Sequence, residues 1–471
     1  MHYTCALCTS LESEKKFAEW IDLHICLLEG FFSQAALVEC FSTKTHSCVV
    51  HAFDYVKGLV TCPDKRTLTK ISDNCSEKNN QAFSHFLSQS PWDHRVLQKW
   101  VLDFAYKIIG KNGALVIDEC GNLKAGSKSV GVSRQYDGNV GKVDNCQVAV
   151  FLAYVKQGVR LIIDFRLYLP KCWTSDPQRC TEAGIPKCEQ VFRTKAELAY
   201  DMIVQAVDDG LRFSHVCMDG FYGSQPWFLT KLELLNLIYV ADISSRVYVY
   251  LTEPLYSLSL RKNKRGRKSS RMAVFNTTRI RVDKIMKNVT RWRVIRIRKS
   301  MGGFLEVKFT AIKVWRIDKK VNKPLPVWLL IRVELDNSDI KYSFCNDLKT
   351  LSWDRLAKMQ SERYWIERSF EDAIAMAGMV DYQVRNWRAW HHHMALVLTA
   401  MVWITKEQQV AMEVVKAVSL PDTVKIIIFL LPPKKQTAET VSSIIHRNVR
   451  NRVNSRKSKM KQKKRLAASG T

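Results

Sequence analysis

No stretch of this chain is apolar for long enough to cross a membrane. The two most apolar runs, Met394 to Ile404 and Ile426 to Leu431, fall far short of the roughly 20 residues that a spanning helix needs. The N-terminus lacks a basic start leading into an apolar core, so no secretory signal is expected. The 14 cysteines are scattered, and Cys5-Ala-Leu-Cys8 is the one close CxxC pair, with no second pair at zinc-finger spacing. Free thiols in a reducing cytoplasm are therefore expected, not a disulfide framework or a zinc site. No internal repeat is found. Acid is the most telling shortage: 45 Asp and Glu stand against 73 Lys and Arg, a net charge of +28. Such a surplus says nothing about fold. It points to a polyanionic partner, nucleic acid first and an anionic membrane surface second.

What is present suffices for real cores. A length of 471 residues at 46% hydrophobic content suggests about two to four domains. Residues 1–110 read as a helical N-terminal domain. Glu12 to Phe32 and Trp92 to Ile109 carry apolar residues at helical spacing, and Ser90-Pro91 gives a helix start. DNA binding, dimerisation, or a scaffold for the next domain would each suit it.

Residues 111–243 read as an α/β unit. A first strand runs into Asp118. Gly126 to Lys142 is a loop or short hairpin. Cys146 to Val155 and Val159 to Leu169 are strands around the turn Lys156-Gln-Gly158. A helix over Lys195 to Asp208, a strand ending before Asp219, a helix over Gln225 to Leu237 and a strand at Ile238 to Asp242 follow. Three antiparallel strands, helix, strand, helix, strand is the order of a ribonuclease H-like fold. There the first and fourth strands are neighbours, which would set Asp118 beside Asp219. Residues 244–350 form a β-rich basic insertion, with strands expected at Val247 to Leu251, Arg279 to Val282, Trp292 to Ile297, Phe304 to Phe309, Ile312 to Ile317 and Val327 to Leu335. From Arg261 to Lys299 there are 16 Lys or Arg and one acid, Asp283. Arg291, Arg293, Arg296 and Arg298 alternate with apolar residues. A strand basic on one face suits a phosphate backbone, and a solvated loop is the alternative. Residues 351–433 are helical and contain Glu367. Adjacent His391, His392 and His393 cannot share a helix face, which favours packing over metal binding. In the tail, 434–471, Arg447 to Arg465 holds ten Lys or Arg in 19 residues and no acid, and disorder is expected there.

Ala114-Leu-Val-Ile-Asp118 and Phe213-Ser-His-Val-Cys-Met-Asp219 are both apolar runs that end in an acid, each with a glycine close behind. Glu367 lies in Arg363-Tyr-Trp-Ile-Glu367, which reads as a helix. Two strand-borne aspartates and a helical glutamate suit a pair of Mg²⁺ (or Mn²⁺) ions, which favour carboxylate oxygens. Two such ions about 3.5–4 Å apart activate a nucleophile and offset charge on the leaving oxygen in phosphodiester transfer. Asp118 would bridge them, with Asp219 and Glu367 on one ion each. Glu119 and Asp144 are the nearest decoys, and Glu119 should point away from Asp118 in a strand.

At these residues the chain resembles the DDE transposases of bacterial insertion sequences, in the branch with a β-strand insertion ahead of the glutamate. The likeness is carried by Leu115-Val-Ile-Asp118, Ser129-Val-Gly-Val-Ser-Arg-Gln-Tyr136, Gly141-Lys-Val-Asp-Asn-Cys-Gln-Val148 and Asp219-Gly-Phe-Tyr-Gly223, with Leu167-Tyr-Leu-Pro170, Ala183-Gly-Ile-Pro186 and Thr194-Lys-Ala-Glu-Leu198. It runs from about Phe86 to Trp403. The resemblance implies a ribonuclease H-like core, Mg²⁺ dependence, and cleavage and strand transfer at inverted-repeat ends. The setting would be an oligomeric complex with DNA, a homodimer, in the cytoplasm at the nucleoid. It implies a triad of Asp118, Asp219 and Glu367, and a phosphate contact for Arg363. Two positions depart from the branch: Ile374 stands where a lysine is usual, and Gln360 where a tyrosine is usual. After the first aspartate, Glu119-Cys120 replaces an acid and a threonine. Three readings stand at this point: an active transposase, a decayed or repurposed copy that binds DNA without transposing, and a structure-selective nuclease on the same fold.

Overall fold

The structure is a computed structural model, and it describes residues 30–43, 47–138, 140–258, 272–300, 303–317, 324–336, 339–415, 417–435 and 437–468. Cys5 and Cys8, most of the helix expected over Glu12 to Phe32, and the basic run Arg261 to Arg271 lie outside the described residues. The chain divides into two compact units.

The larger unit comprises His94–Ala373 and Arg385–Leu398. It is a mixed α/β structure on a ten-stranded sheet. In chain order its strands are β1 (Gly113–Leu123), β2 (Ser133–Asp137), β3 (Lys142–Lys156), β4 (Val159–Leu167), β5 (Phe213–Met218) and β6 (Tyr239–Ile243), the short β7 (Tyr248–Val249), β8 (Tyr256–Leu258), β9 (Met272–Val274) and β10 (Ile280–Arg281), then β11 (Arg293–Ser300), β12 (Gly303–Ile317), β13 (Pro324–Glu334) and β14 (Ile340–Cys345). The sheet order is β11-β12-β13-β14-β6-β5-β1-β3-β2, with β4 also on β3. β1, β5 and β6 run parallel; β3 lies antiparallel to β1 and β14 antiparallel to β6.

Local chemistry explains these elements. From Cys146 to Val155 every residue of β3 is buried, as befits a central strand covered on both faces. Gln157 and Gly158 both take positive φ, 52° and 89°, the tight turn that joins β3 to β4. The helix Lys195–Asp208 begins with a capping box of Thr194 and Glu197 and buries Ala199, Met202, Ile203 and Ala206 at helical spacing. Helix Tyr364–Ala377 is clamped to the β3–β4 hairpin by the buried pair Arg160–Asp372, with Arg160 also 5.1 Å from the Trp365 ring centre.

Three expectations need correction, and one further observation adds to the reading of the insertion. β1 does not stop at Asp118: it continues to Leu123, paired with β3 as far as Cys146. Phe304 to Phe309 and Ile312 to Ile317 are one strand, because Thr310 and Ala311 pair with Ile331 and Leu330 and nothing breaks the ladder. The strand expected at Arg279 to Val282 forms only over Ile280–Arg281, paired with β7, and a helix, Val282–Lys287, follows it. The strands of the basic insertion are joined to the main sheet, since β14 pairs with β6.

The second unit comprises Met1–Asp93, Ile374–Val384 and Thr399–Thr471, and its described part is helical. Trp403 packs against Phe31 and Phe32, with ring centres 6.2 and 5.7 Å away. Gly378 (φ 59°) lies flat against Arg66, whose backbone N–H donates to Asp381 at 3.0 Å. The tail is a helix, Ala438–Ala468, and not a disordered run, anchored by Arg447 on Asp73. Among the described residues no helix is long and apolar enough to cross a membrane.

Gly223 ends the short helix after Asp219, and a Cβ there would fall 2.0 Å from the backbone oxygen of Asp242 on β6. At Gly220 the same oxygen is 3.9 Å away, an ordinary contact. Gly223→Ala should therefore cost about 1–3 kcal/mol of stability by overpacking, and Gly220→Ala much less. Chemical denaturation of the two variants checks this, and equal costs would contradict it.

Candidate active site

Three neighbouring parallel strands each deliver an aspartate to one level of the sheet. Ile117 of β1 is in register with Met218 of β5, and Met218 with Ala241 of β6. The next residues are Asp118, Asp219 and Asp242. Leu115, Val116 and Ile117 are fully buried, as are Val216, Met218 and Ala241. The apolar runs fix the strands and leave each acid at the edge of the core. β5 ends at this level, and Asp219 caps the turn that follows: its Oδ1 accepts the N–H groups of Phe221 (3.0 Å) and Tyr222 (3.3 Å). The missed member is Asp242. Its signal was present, since Tyr239-Val-Ala-Asp242 repeats the pattern of an apolar run closed by an acid.

Glu367 and Arg363 come from the other side of the chain. Arg363 sits in the turn between helices Trp353–Ser361 and Tyr364–Ala377, and Glu367 in the first turn of the second. The guanidinium joins the acids. Its Nε lies 3.1 Å from Asp242 Oδ2, and its Nη1 lies 2.8 Å from Glu367 Oε1 and 3.7 Å from Asp118 Oδ2. Behind Asp242, the Ser343 hydroxyl of β14 donates to Oδ1 at 2.6 Å, and the Gln360 amide donates to Ser343 at 2.8 Å.

The electrostatics follow from burial. Desolvation, with the Asp219 charge adding to it, pushes the Asp118 carboxyl up to about 7, against the N–H of Glu119 and the Arg363 charge. Burial likewise raises Asp219 and Asp242. Burial opposes the charge on Arg363, but Asp242, Glu367 and Asp118 outweigh it and hold the guanidinium protonated. Glu119 pairs with Lys195 at 2.6 Å, accepts the Tyr222 hydroxyl at 3.4 Å, and adds its charge to the field on Asp219. Asp144 pairs with Lys142 at 3.2 Å on β3.

The four arginines of the basic strand engage neighbours inside the unit. Arg291 lies 5.1 Å from the Trp353 ring centre and Arg293 3.3 Å from Asp354. Arg296 pairs with Glu306 at 2.7 Å, and Arg298 stacks 3.4 Å over Tyr364, the residue after Arg363. Ile295 and Ile297 are buried beneath, and a bulge between Arg296 and Arg298 breaks the alternation. His391, His392 and His393 are all buried. Among the described residues no three His, Cys, Asp or Glu side chains converge tightly enough to cage an ion. In donor chemistry the cluster fits a hard divalent ion, being all carboxylate oxygen, and a guanidinium already stands among the acids as their cation.

A carboxyl that keeps its proton up to about pH 7 when folded, and loses it near pH 4 when unfolded, costs stability as pH rises between those values. Metal-free protein should lose stability across that window. Asp118→Asn should flatten the loss and raise stability at pH 8, by at most about 4 kcal/mol. Unfolding midpoints at pH 5 and pH 8 for both proteins decide it, and parallel profiles would refute it.

Residues 36–303 match the DDE superfamily endonuclease family. Over 201 residues, 42% of the chain, the sequence is 35% identical to a probable transposase for insertion sequence element IS701 of Microchaete diplosiphon. The match spans 50% of that relative's length. Among solved structures the chain is similar to a piggyBac transposase synaptic complex with hairpin DNA, at 11% identity and a TM-score of 0.40, over 90% of this chain and 81% of that one. The family match holds Asp118, Asp219 and Asp242, while Arg363 and Glu367 lie beyond it. Because the matched span is more than half of the chain, this protein belongs to the DDE superfamily endonuclease family.

Proposed function

We propose that this chain is a DNA transposase that cleaves insertion-sequence ends and joins them to target DNA by metal-dependent phosphodiester transfer. The observation that carries the reading is the level row of Asp118, Asp219 and Asp242, with Glu367 tied to it through Arg363. The family membership and the partial identity to a transposase support it. A ribonuclease H-like core is supported by the antiparallel β1, β3 and β4 and the parallel β5 and β6.

In this reading Asp118, Asp219 and Glu367 hold two Mg²⁺ (or Mn²⁺) ions. Such a pair, when bound, activates the attacking oxygen and offsets charge on the leaving one. Asp118 would be the ligand shared by the two ions, since its strand β1 has β5 on one side and β3 on the other. It must first give up the proton that burial favours. Glu367, at 49% side-chain exposure, is open to solvent. Arg363, once released from the acids, contacts a phosphate. Arg291, Arg293, Arg296, Arg298 and the basic helix Ala438–Ala468 contribute sequence-independent attraction to the DNA backbone. Residues 1–110 are the candidate for recognising the terminal repeats, and the working form would be a homodimer on DNA at the nucleoid.

One observation favours a second reading, a copy that binds ends without cutting them: Ile374 stands where the branch has a lysine. A duplex carrying the element's own terminal repeat separates the two. The first reading expects a defined cut with Mg²⁺, none with EDTA, and a loss of more than about 100-fold in Asp219→Ala. A shifted but uncut duplex supports the second. Non-specific DNA affinity should fall about 10³-fold or more between 50 and 200 mM salt if six to ten phosphates are met. A flat salt response contradicts the basic surfaces as the binding sites.

A further inference from the structure

The two ends of the Arg363 guanidinium have different surroundings. Nη1 serves Glu367 and Asp118 at 2.8 and 3.7 Å, both among the acids read above as metal ligands. Nε serves Asp242 at 3.1 Å, which is not among them. The Nε end rests on a built anchor. Asp242 is held on its other oxygen by Ser343, and Ser343 by Gln360. Ser343 is fully buried and Gln360 nearly so. The Nη1 end rests on a glutamate whose side chain is half exposed. One end is therefore fixed and the other is free to leave.

The charges supply a reason for it to leave. Without metal, the desolvated carboxylates repel one another, and Arg363 is the cation that offsets them. Divalent cations on the same oxygens would make the guanidinium the surplus charge, repelled from the place it fills.

We propose that Asp242 is a positioning residue about which Arg363 pivots: in metal-free protein the guanidinium occupies the acid site as an internal counter-ion, and cation entry swings its Nη1 end outward while Nε stays on Asp242. The inference rests on the reading that Asp118, Asp219 and Glu367 bind divalent metal. It assigns Asp242, Ser343 and Gln360 a task that neither the triad nor the sheet requires. It also makes release of Arg363 toward an anionic substrate conditional on a loaded metal site.

The test uses the full chain and metal alone, without DNA. Calorimetry establishes Mg²⁺ binding. Phenylglyoxal labelling read by peptide mass spectrometry reports Arg363, with Arg95 as an exposed reference at 68%. Arg363 labelling should rise about fivefold with saturating Mg²⁺, as a shift from a closed to an open population requires. Asp242→Asn should raise labelling without metal and remove the metal-dependent step. In Arg363→Gln the competitor is gone, and Mg²⁺ should bind about tenfold more tightly. Metal binding with unchanged labelling, or with unchanged or weaker affinity in Arg363→Gln, overturns the pivot and leaves the metal reading standing. No metal binding overturns both. Thermal unfolding verifies that each variant folds, and should Asp242→Asn fail to fold, native labelling and Arg363→Gln decide alone.

Discussion

Carboxylates cannot be buried side by side as anions without a counter-charge, and the architecture around Asp118 is arranged under that constraint. Desolvation of an unpaired charge costs far more than a typical fold can spare. Three parallel strands nonetheless end their apolar runs at one level, so register alone brings Asp118, Asp219 and Asp242 together. Two things make the cluster tolerable. Proton uptake is one, visible in the upward shifts of all three acids. Arg363 is the other, and its position is over-determined: the helix after it is pinned to the β3–β4 hairpin through Arg160, which pairs with Asp372 and lies 5.1 Å from the Trp365 ring centre.

The basic insertion looks different in this light. As a sequence it reads as an accessory segment spliced in ahead of the glutamate. In space its last strand, β14, pairs with β6 and sets Ser343 opposite Asp242. The first of its strands to join the main sheet, β11, lies at the sheet edge, where helix Trp353–Ser361 packs on it and Arg298 stacks on Tyr364. The insertion thus builds the wall behind the acids and supports the turn that carries Arg363.

The sequence made legible what depends on local pattern. Asp118 and Asp219 stand out because buried strands are apolar and end abruptly at an acid. Helix Lys195–Asp208 stands out through its capping box. Pairing is what stayed hidden. Glu119-Cys-Gly-Asn122 resembles a loop, yet β3 holds it in the sheet, and Gly121 is small because a Cβ would fall 2.4 Å from the Asp137 carboxyl on β2. Asp242 showed the same apolar-then-acid pattern as the others but had no role until β6 was known to lie beside β5. The tail misled through charge. Its basic run suggested repulsion and disorder, while Val441, Ile445, Val449 and Val453, at every fourth position with no Gly or Pro between, marked the helix that forms.

Gln360, where the resemblance leads one to expect a tyrosine, is tied to the acid cluster of this chain. A glutamine buried to 4% exposure is an expensive choice. Its Oε1 has no hydrogen-bond partner among the described residues, and an unsatisfied buried acceptor costs about 1–3 kcal/mol. An apolar residue of similar volume would avoid that cost. What an apolar residue could not do is donate to Ser343, so that the serine hydroxyl is turned toward Asp242 and the carboxylate toward Arg363. Unlike a phenol, the amide has two donors and a flat acceptor, so one end can serve the relay while the other goes unpaired. The free energy lost at Oε1 is offset by the fixed direction of a chain of three contacts that ends on the guanidinium. The position that departs from the pattern is therefore wired to the acid site, two hydrogen bonds and one ion pair from Arg363.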